Sequence, residues 1–309
     1  MSKNSQRKMY GDTLVELGQQ YEEVVALDAD LSKSTMSTLF ENEFPERFIE
    51  MGIAEQNMLS TAAGLAAGGK IPYVSTFAVF VTGRAFDQIR QAIAIGKLNV
   101  KICGSSAGLS DFGDGATHQS IEDLALMTVL PNMTVLVPAD AAETRQCVIA
   151  AKDIEGPVYI RVSRNDVLDV IDPEEPFELG KVRVLREGTD ILIVTYGVMI
   201  EKALDAAKIL EEEGVSAQVV SLTSLKPFPF EAIADMASKF KGVVTAEEHN
   251  YYGGLASLTG LALRQSTVPF DYVAIEDVFG QSAQSSEELY IHYGLTPEHI
   301  CKKAKGLLG

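Results

Sequence analysis

Short apolar runs alternate with longer stretches of helical period along the whole chain. VVALD (24–28), IPYVST (71–76), VKICGSS (100–106), TVLVP (134–138) and PVYIRV (157–162) are apolar on successive residues, which suits strands buried on both faces of a parallel sheet. The segments between them predict helices. One of these, AEQNMLSTAAGLAAGG, is rich in alanine and leucine and ends in a glycine pair, so it predicts a buried helix with a glycine stop. Its first turn contains Glu55. A glutamate there suits the positive end of the helix dipole, and it is also a polar group placed where packing alone would not choose one.

The periodic pattern breaks at DVIDPEEPFELG, whose charges and prolines suit an exposed connector. Beyond it the pattern restarts: a strand over DILIVTYG (190–197), a helix over EKALDAAKILEEEG, a strand QVVSL, a helix EAIADMASKF and a strand GVVTAEEH. The expected fold is therefore α/β, with two doubly wound, mostly parallel-sheet domains at residues 1–172 and 189–309 and a linker over 173–188.

Composition narrows the functional classes. The chain has 309 residues, 46% hydrophobic and 22% charged, enough for two separate cores. Its 43 acidic against 26 basic residues give a formal charge of −17, which repels nucleic acid and anionic membranes. An anionic small substrate would need a local basic cluster, so Arg7, Arg84 and Arg164 become informative. Cys103, Cys147 and Cys301 are too dispersed for a zinc site and read as buried thiols. The N-terminus has no apolar leader core, and no stretch approaches the ~20 apolar residues a membrane span needs, so a cytoplasmic location is expected.

Four blocks carry a resemblance. ERFIEMGIAEQNMLSTAAGLA, STFAVFVTGRAFDQIR, FGDGATHQSIEDLA and LPNMTVLVPAD follow one another as in the pyrimidine-binding domain of the transketolase family. The later EEHNYYGGLAS resembles that family's C-terminal domain, so the likeness spans nearly the whole chain.

The resemblance implies that Glu55 contacts the pyrimidine-ring nitrogen of thiamine diphosphate and manages a proton there. It implies that Phe77 and Phe80 pack on the ring, although both residues also suit plain core packing. GDGATHQ is not followed by the asparagine cluster that completes a magnesium–diphosphate signature, so it reads instead as the substrate loop. In that loop Asp114 would hold sugar hydroxyls and His118 the donor end, chemistry suited to a carboxylate and an imidazole, though either could be a simple turn residue. By the same resemblance Arg7, Ser34 and Arg164 fill the phosphate-reading positions, where charge-assisted donors are needed, although each taken alone would suit the surface. Asp30 matches an acid near the thiazolium at a dimer interface, and an Asx turn after VVALD would explain it equally. His249, Gly253 and Gly254 fit the C-terminal signature, for which a structural role is expected.

Two positions depart from the family pattern. Gly83 stands where a third aromatic is common, and Ser106 where a phosphate-contacting histidine is common. Taken together, the resemblance implies the C-terminal subunit of a split, thiamine-diphosphate-dependent transketolase. It would transfer a two-carbon ketol unit between sugar phosphates. An N-terminal subunit would hold the diphosphate and its magnesium, and two of these chains would pair as a homodimer within a heterotetramer. The alternatives are a deoxyxylulose-phosphate synthase-like chain, a 2-oxoacid dehydrogenase beta subunit, and a non-catalytic paralogue.

Overall fold

The computed structural model describes residues 2–309. Fourteen strands form in chain order: β1 (Lys3–Ser5), β2 (Val24–Asp28), β3 (Phe48–Glu50), β4 (Ile71–Phe77), β5 (Lys101–Ser105), β6 (Thr134–Leu136), β7 (Val158–Arg161), β8 (Asp166–Leu168), β9 (Val182–Arg186), β10 (Ile191–Thr195), β11 (Ala217–Leu222), β12 (Ser224–Lys226), β13 (Gly242–Asn250) and β14 (Phe270–Ile275). They make a seven-stranded sheet ordered β12-β6-β7-β5-β4-β2-β3 and a five-stranded sheet ordered β14-β13-β10-β11-β9. A small ribbon pairs β1 with β8 antiparallel. Every apolar run read as a strand forms one, and the alanine-rich segment forms the helix Glu55–Ala67, halted at Gly69 with φ +87°. The two mostly parallel sheets with covering helices are the expected fold class.

Six strands lie outside the sequence expectation: the four sheet edges β3, β9, β12 and β14, and the β1–β8 ribbon. Within the stretch read as a linker, Val182–Arg186 pairs antiparallel with β11 and closes one edge of the second sheet. β12 does the reverse: it follows β11 in sequence but pairs antiparallel with β6, extending the first domain's sheet. One apolar core runs across the junction, joining Met127, Val135 and Val137 of the first domain to Tyr196, Leu222 and Leu225 of the second. All three cysteines are buried and free. Among the described residues no helix is long and apolar enough to cross a membrane.

In the first sheet, β2, β4, β5 and β7 are parallel to their neighbours, so their carboxyl ends share one edge. Open parallel sheets bind ligands in the crevice beyond those ends. Asp30 and Ser34 follow β2, Glu55 follows β3, Phe77 and Phe80 end and follow β4, Asp114 and His118 follow β5, and Arg164 follows β7. The fold thus delivers residues scattered over 134 positions (30 to 164) to one rim.

Candidate active site

Glu55 is the first residue of its helix, and its side chain is 5% exposed. A carboxylate so buried needs a partner. Arg84 provides one, its Nη1 donating to Oε1 of Glu55 at 2.8 Å. The chain from Phe80 to Arg84 winds as a π-helical turn, wider than an α-turn and often found where function displaces regular geometry. This turn sets the Arg84 guanidinium 4.1 Å above the centre of the Phe80 ring. The Gln56 amide donates to the Arg84 carbonyl at 3.0 Å, which ties the turn to the Glu55 helix.

Phe77 and Phe80 lie nearly parallel, 18° apart with centroids at 5.8 Å. His118 meets both edge-on, at 5.2 Å from Phe80 and 6.3 Å from Phe77. Glu55, Phe77, Phe80 and His118 therefore form one wall: a flat aromatic face with an acid at one side and an imidazole at another. Gly83 faces open space, where an added Cβ would meet nothing within 4 Å, so no side chain of this chain fills the missing aromatic's place.

A second group gathers around the predicted anion residues. Arg7 Nη1 donates to the Ser34 carbonyl at 2.8 Å, and its Nε is buried without a partner among the described residues. Burial lowers the Arg7 pKa, and the nearby positive charge of Arg164 lowers it further, so the two guanidinium groups share a neighbourhood. Arg164 Nη1 in turn donates to Asp111 Oδ2 at 2.8 Å. Asp111, 2% exposed, lies outside the residues that the sequence points to. Burial raises its pKa, Arg164 opposes that rise, and Asp114 adds to it. Arg7, Ser34, Arg164 and Asp114 are thus brought together around this additional acid. Ser106 is fully buried at φ +52°, with its hydroxyl unpartnered among the described residues.

Asp30 stands apart. It is exposed, at φ +62°, held by a bond from its N–H to Glu50 Oε1, and its carboxylate makes no hydrogen bond among the described residues. The acid that shapes this loop is Asp28. It is fully buried and accepts from the Leu31 N–H and from the hydroxyls of Thr35 and Ser37 at 2.7–2.8 Å. Burial pushes its pKa up to about 6 against those three bonds.

The loop that carries Asp114 and His118 is clamped from the other domain. The Gln119 amide donates to the Gln281 carbonyl at 3.0 Å, the Ala283 N–H to the Phe112 carbonyl at 2.9 Å, and a Cβ at Gly115 would lie 2.5 Å from Ser282 Oγ. Behind it lies a buried polar knot. Arg161 Nε donates to Asp123 at 2.9 Å, and Arg161 Nη2 to the Glu248 carbonyl at 3.0 Å. Glu248 also accepts from the Leu109 N–H and the Tyr290 hydroxyl, both at 3.0 Å. Its neighbour Glu247 caps the helix Leu255–Ala262 by accepting from the N–H groups of Leu255 and Ala256. His249 bridges as well, its Nδ1 against the Asn250 carbonyl and its Nε2 accepting from Ala125 N–H at 3.4 Å. The EEH block therefore joins the two domains beneath the loop that carries Asp114 and His118.

Two family profiles cover most of the chain: "Transketolase, pyrimidine binding domain" over residues 2–168 and "Transketolase, C-terminal domain" over residues 180–300. Among curated proteins, the chain is 43% identical to a "Putative transketolase C-terminal section" of Methanocaldococcus jannaschii, covering 96% of this chain and 94% of that one. It is 39% identical to a 6-deoxy-6-sulfo-D-fructose transketolase subunit of a Clostridium species, over 96% and 92% of the two chains. Among solved structures it superposes on a "Split gene transketolase, inactive beta4 tetramer" with TM-score 0.89 and 49% identity, covering 99% of each chain. The chain belongs to the transketolase family and carries that family's pyrimidine-binding and C-terminal domains.

Proposed function

We propose that this chain is the C-terminal subunit of a split transketolase that uses thiamine diphosphate, transferring a two-carbon ketol unit between sugar phosphates together with a separate N-terminal subunit. The observation that carries this reading is the wall of Glu55, Phe77, Phe80 and His118, with a buried carboxyl beside a flat aromatic face. These residues fit the aminopyrimidine end of thiamine diphosphate. An electron-poor ring favours an offset aromatic neighbour, and its ring nitrogen favours an acid that can share a proton. When bound, thiamine diphosphate supplies the electron sink for the two-carbon unit.

The rest of the work belongs to this chain's side chains. Glu55 places the proton at the pyrimidine nitrogen. Phe77 and Phe80 fix the plane of the ring and keep water from it. His118, edge-on to Phe80, hydrogen-bonds the donor end of the sugar, and Asp114 accepts from its hydroxyls. Arg7, Ser34 and Arg164 read the distal phosphate through charge-assisted donors. Asp30 is assigned to the side facing the thiazolium at the chain–chain interface. The diphosphate and its magnesium are assigned to the partner subunit, in keeping with the sequence, where GDGATHQ lacks the following asparagine cluster. A heterotetramer with two copies of each chain follows from such a shared site. The β4 relative is described as inactive, which accords with a chain that needs its partner.

Asp111 favours a second reading of the substrate. A distal dianion must compete with this buried carboxyl for Arg164, whereas a singly charged sulfonate, of the kind named for the Clostridium relative, would disturb the pair less.

The test is calorimetric titration of the purified chain with thiamine diphosphate and magnesium, followed by a ketol-transfer assay with and without the neighbouring gene's product. Weak binding and no turnover alone, with turnover on mixing, are expected. Tight magnesium-dependent binding or turnover by this chain alone would overturn the split arrangement. Failure of the mixture to transfer ketol units would overturn the transferase reading.

A further inference from the structure

The Arg84 guanidinium makes two polar or cation–π contacts, and they are the two that the proposed function assigns to the aminopyrimidine ring. It hydrogen-bonds Glu55 Oε1 at 2.8 Å, and it lies flat-side to the Phe80 ring with Cζ 4.1 Å from the centroid. A guanidinium is planar, delocalised and hydrogen-bonding at its edge, which makes it a fair mimic of an amino-substituted ring edge. Its backbone is held by Gln56, yet its side chain is 50% exposed, so the guanidinium can swing away without disturbing the turn. Glu55, by contrast, is 5% exposed and cannot reach water for compensation.

We infer that Arg84 is a placeholder: it occupies the face of Phe80 and pairs with Glu55 while the cofactor is absent, and it must leave both for the pyrimidine ring to enter. The physical reason for such a device is the cost of an unpartnered buried carboxylate. Arg84 removes that cost in the free chain and so keeps the Glu55 helix start and the Phe80 turn in their working places. The same contacts make it a competitor of the cofactor. This inference rests on the thiamine-diphosphate reading of the Glu55 wall. It adds that the residue beside the Gly83 departure sets how readily that wall is filled.

A competitor and a supporting residue predict opposite signs. The two-subunit assembly would be titrated calorimetrically with thiamine diphosphate and magnesium for the wild type, Arg84→Ala and Arg84→Lys, and the free chain of each would be melted. Arg84→Ala is expected to bind the cofactor about three- to tenfold more tightly, since an exposed-side ion pair and a cation–π contact no longer have to be broken. Its free chain is expected to melt at a lower temperature, because Glu55 loses its partner. Arg84→Lys keeps the charge but loses the flat face, and is expected to fall between the two in both measurements. Unchanged or weaker binding by Arg84→Ala, with Arg84→Lys closer to the wild type, would overturn the placeholder and make Arg84 a support of Glu55 in the filled site. Absence of thiamine diphosphate binding by the wild-type assembly would overturn the functional reading itself, and the placeholder with it.

Discussion

The buried EEH block makes a quantitative prediction about pH. Burial pushes the Glu247 carboxyl up from 4.5 to about 7, and burial holds the His249 imidazole down from 6.5 to about 4. Because the folded Glu247 binds its proton more tightly than the unfolded one, its contribution to stability is complete below pH 4.5 and is lost as pH rises to 7. His249 has the opposite sign: the folded state disfavours its proton, so its contribution is complete above pH 6.5 and is lost as pH falls to 4. Each span of 2.5 pH (7 − 4.5 and 6.5 − 4) corresponds to roughly 3 kcal/mol. In the wild type the two slopes oppose each other across nearly the same window and leave little net change. His249→Gln removes one of them. Urea unfolding of this variant should show stability that falls by about 3 kcal/mol between pH 4.5 and 7, the window of the remaining Glu247, where the wild type changes little. Glu247→Gln should show the reverse, a gain of similar size as pH rises from 4 to 6.5, the window of the remaining His249. The slope is the readout, so a uniform packing loss does not obscure it. Stability curves for both variants that run parallel to the wild type's would show that neither Glu247 nor His249 shifts on folding as described.

Two further outcomes are expected. Arg164→Ala should raise KM for a phosphorylated substrate roughly ten- to hundredfold while moving KM for an unphosphorylated one little, as loss of one charge-assisted contact requires; equal effects on both would remove Arg164 from anion reading, and a lower wild-type KM for a sulfonated than for a phosphorylated sugar would favour the second substrate reading. Gly254→Ala would set a Cβ 2.2 Å from Glu247 Oε2 and 2.8 Å from His249 Nδ1, and should cost about 1–3 kcal/mol in chemical denaturation.

What is legible in the sequence is whatever is local. Buried parallel strands announce themselves as apolar runs, and β2, β4, β5, β7, β10, β11 and β13 are all visible in that way. The helix start at Glu55 and its stop at the glycine pair are visible for the same reason. Edge strands are not. Val182–Arg186 buries few of its residues among charges, so it resembles the connector around it, and β12 is three residues that join the other domain's sheet. The site divides along the same line. Glu55, Phe77, Phe80, Asp114, His118, Arg7, Ser34 and Arg164 sit in motifs that can be quoted. Their partners arise from pairings across long stretches of chain: Arg84 to Glu55 over 29 residues, Arg164 to Asp111 over 53, and Arg161 to the Glu248 carbonyl over 87. The local trace of the last is its acidic, glycine-rich EEHNYYGG context, whose buried charges require partners that the sequence does not name. Asp28 shows a related limit. Two acids stand in ALDAD, and only the fold shows that Asp28 organises the loop while Asp30 faces outward.

The proposed chemistry turns on Glu55 managing a proton at the edge of a bound pyrimidine ring. It is tested most directly by Glu55→Gln in the reconstituted two-subunit assembly, followed by turnover number and by unfolding midpoint. The amide keeps the shape of the side chain but cannot share a proton. The expected result is an unfolding midpoint close to the wild type's and a loss of ketol transfer of at least about 10²–10⁴-fold, the range for removing a general acid–base group. Turnover within a few fold of wild type by a fully folded Glu55→Gln assembly would contradict it.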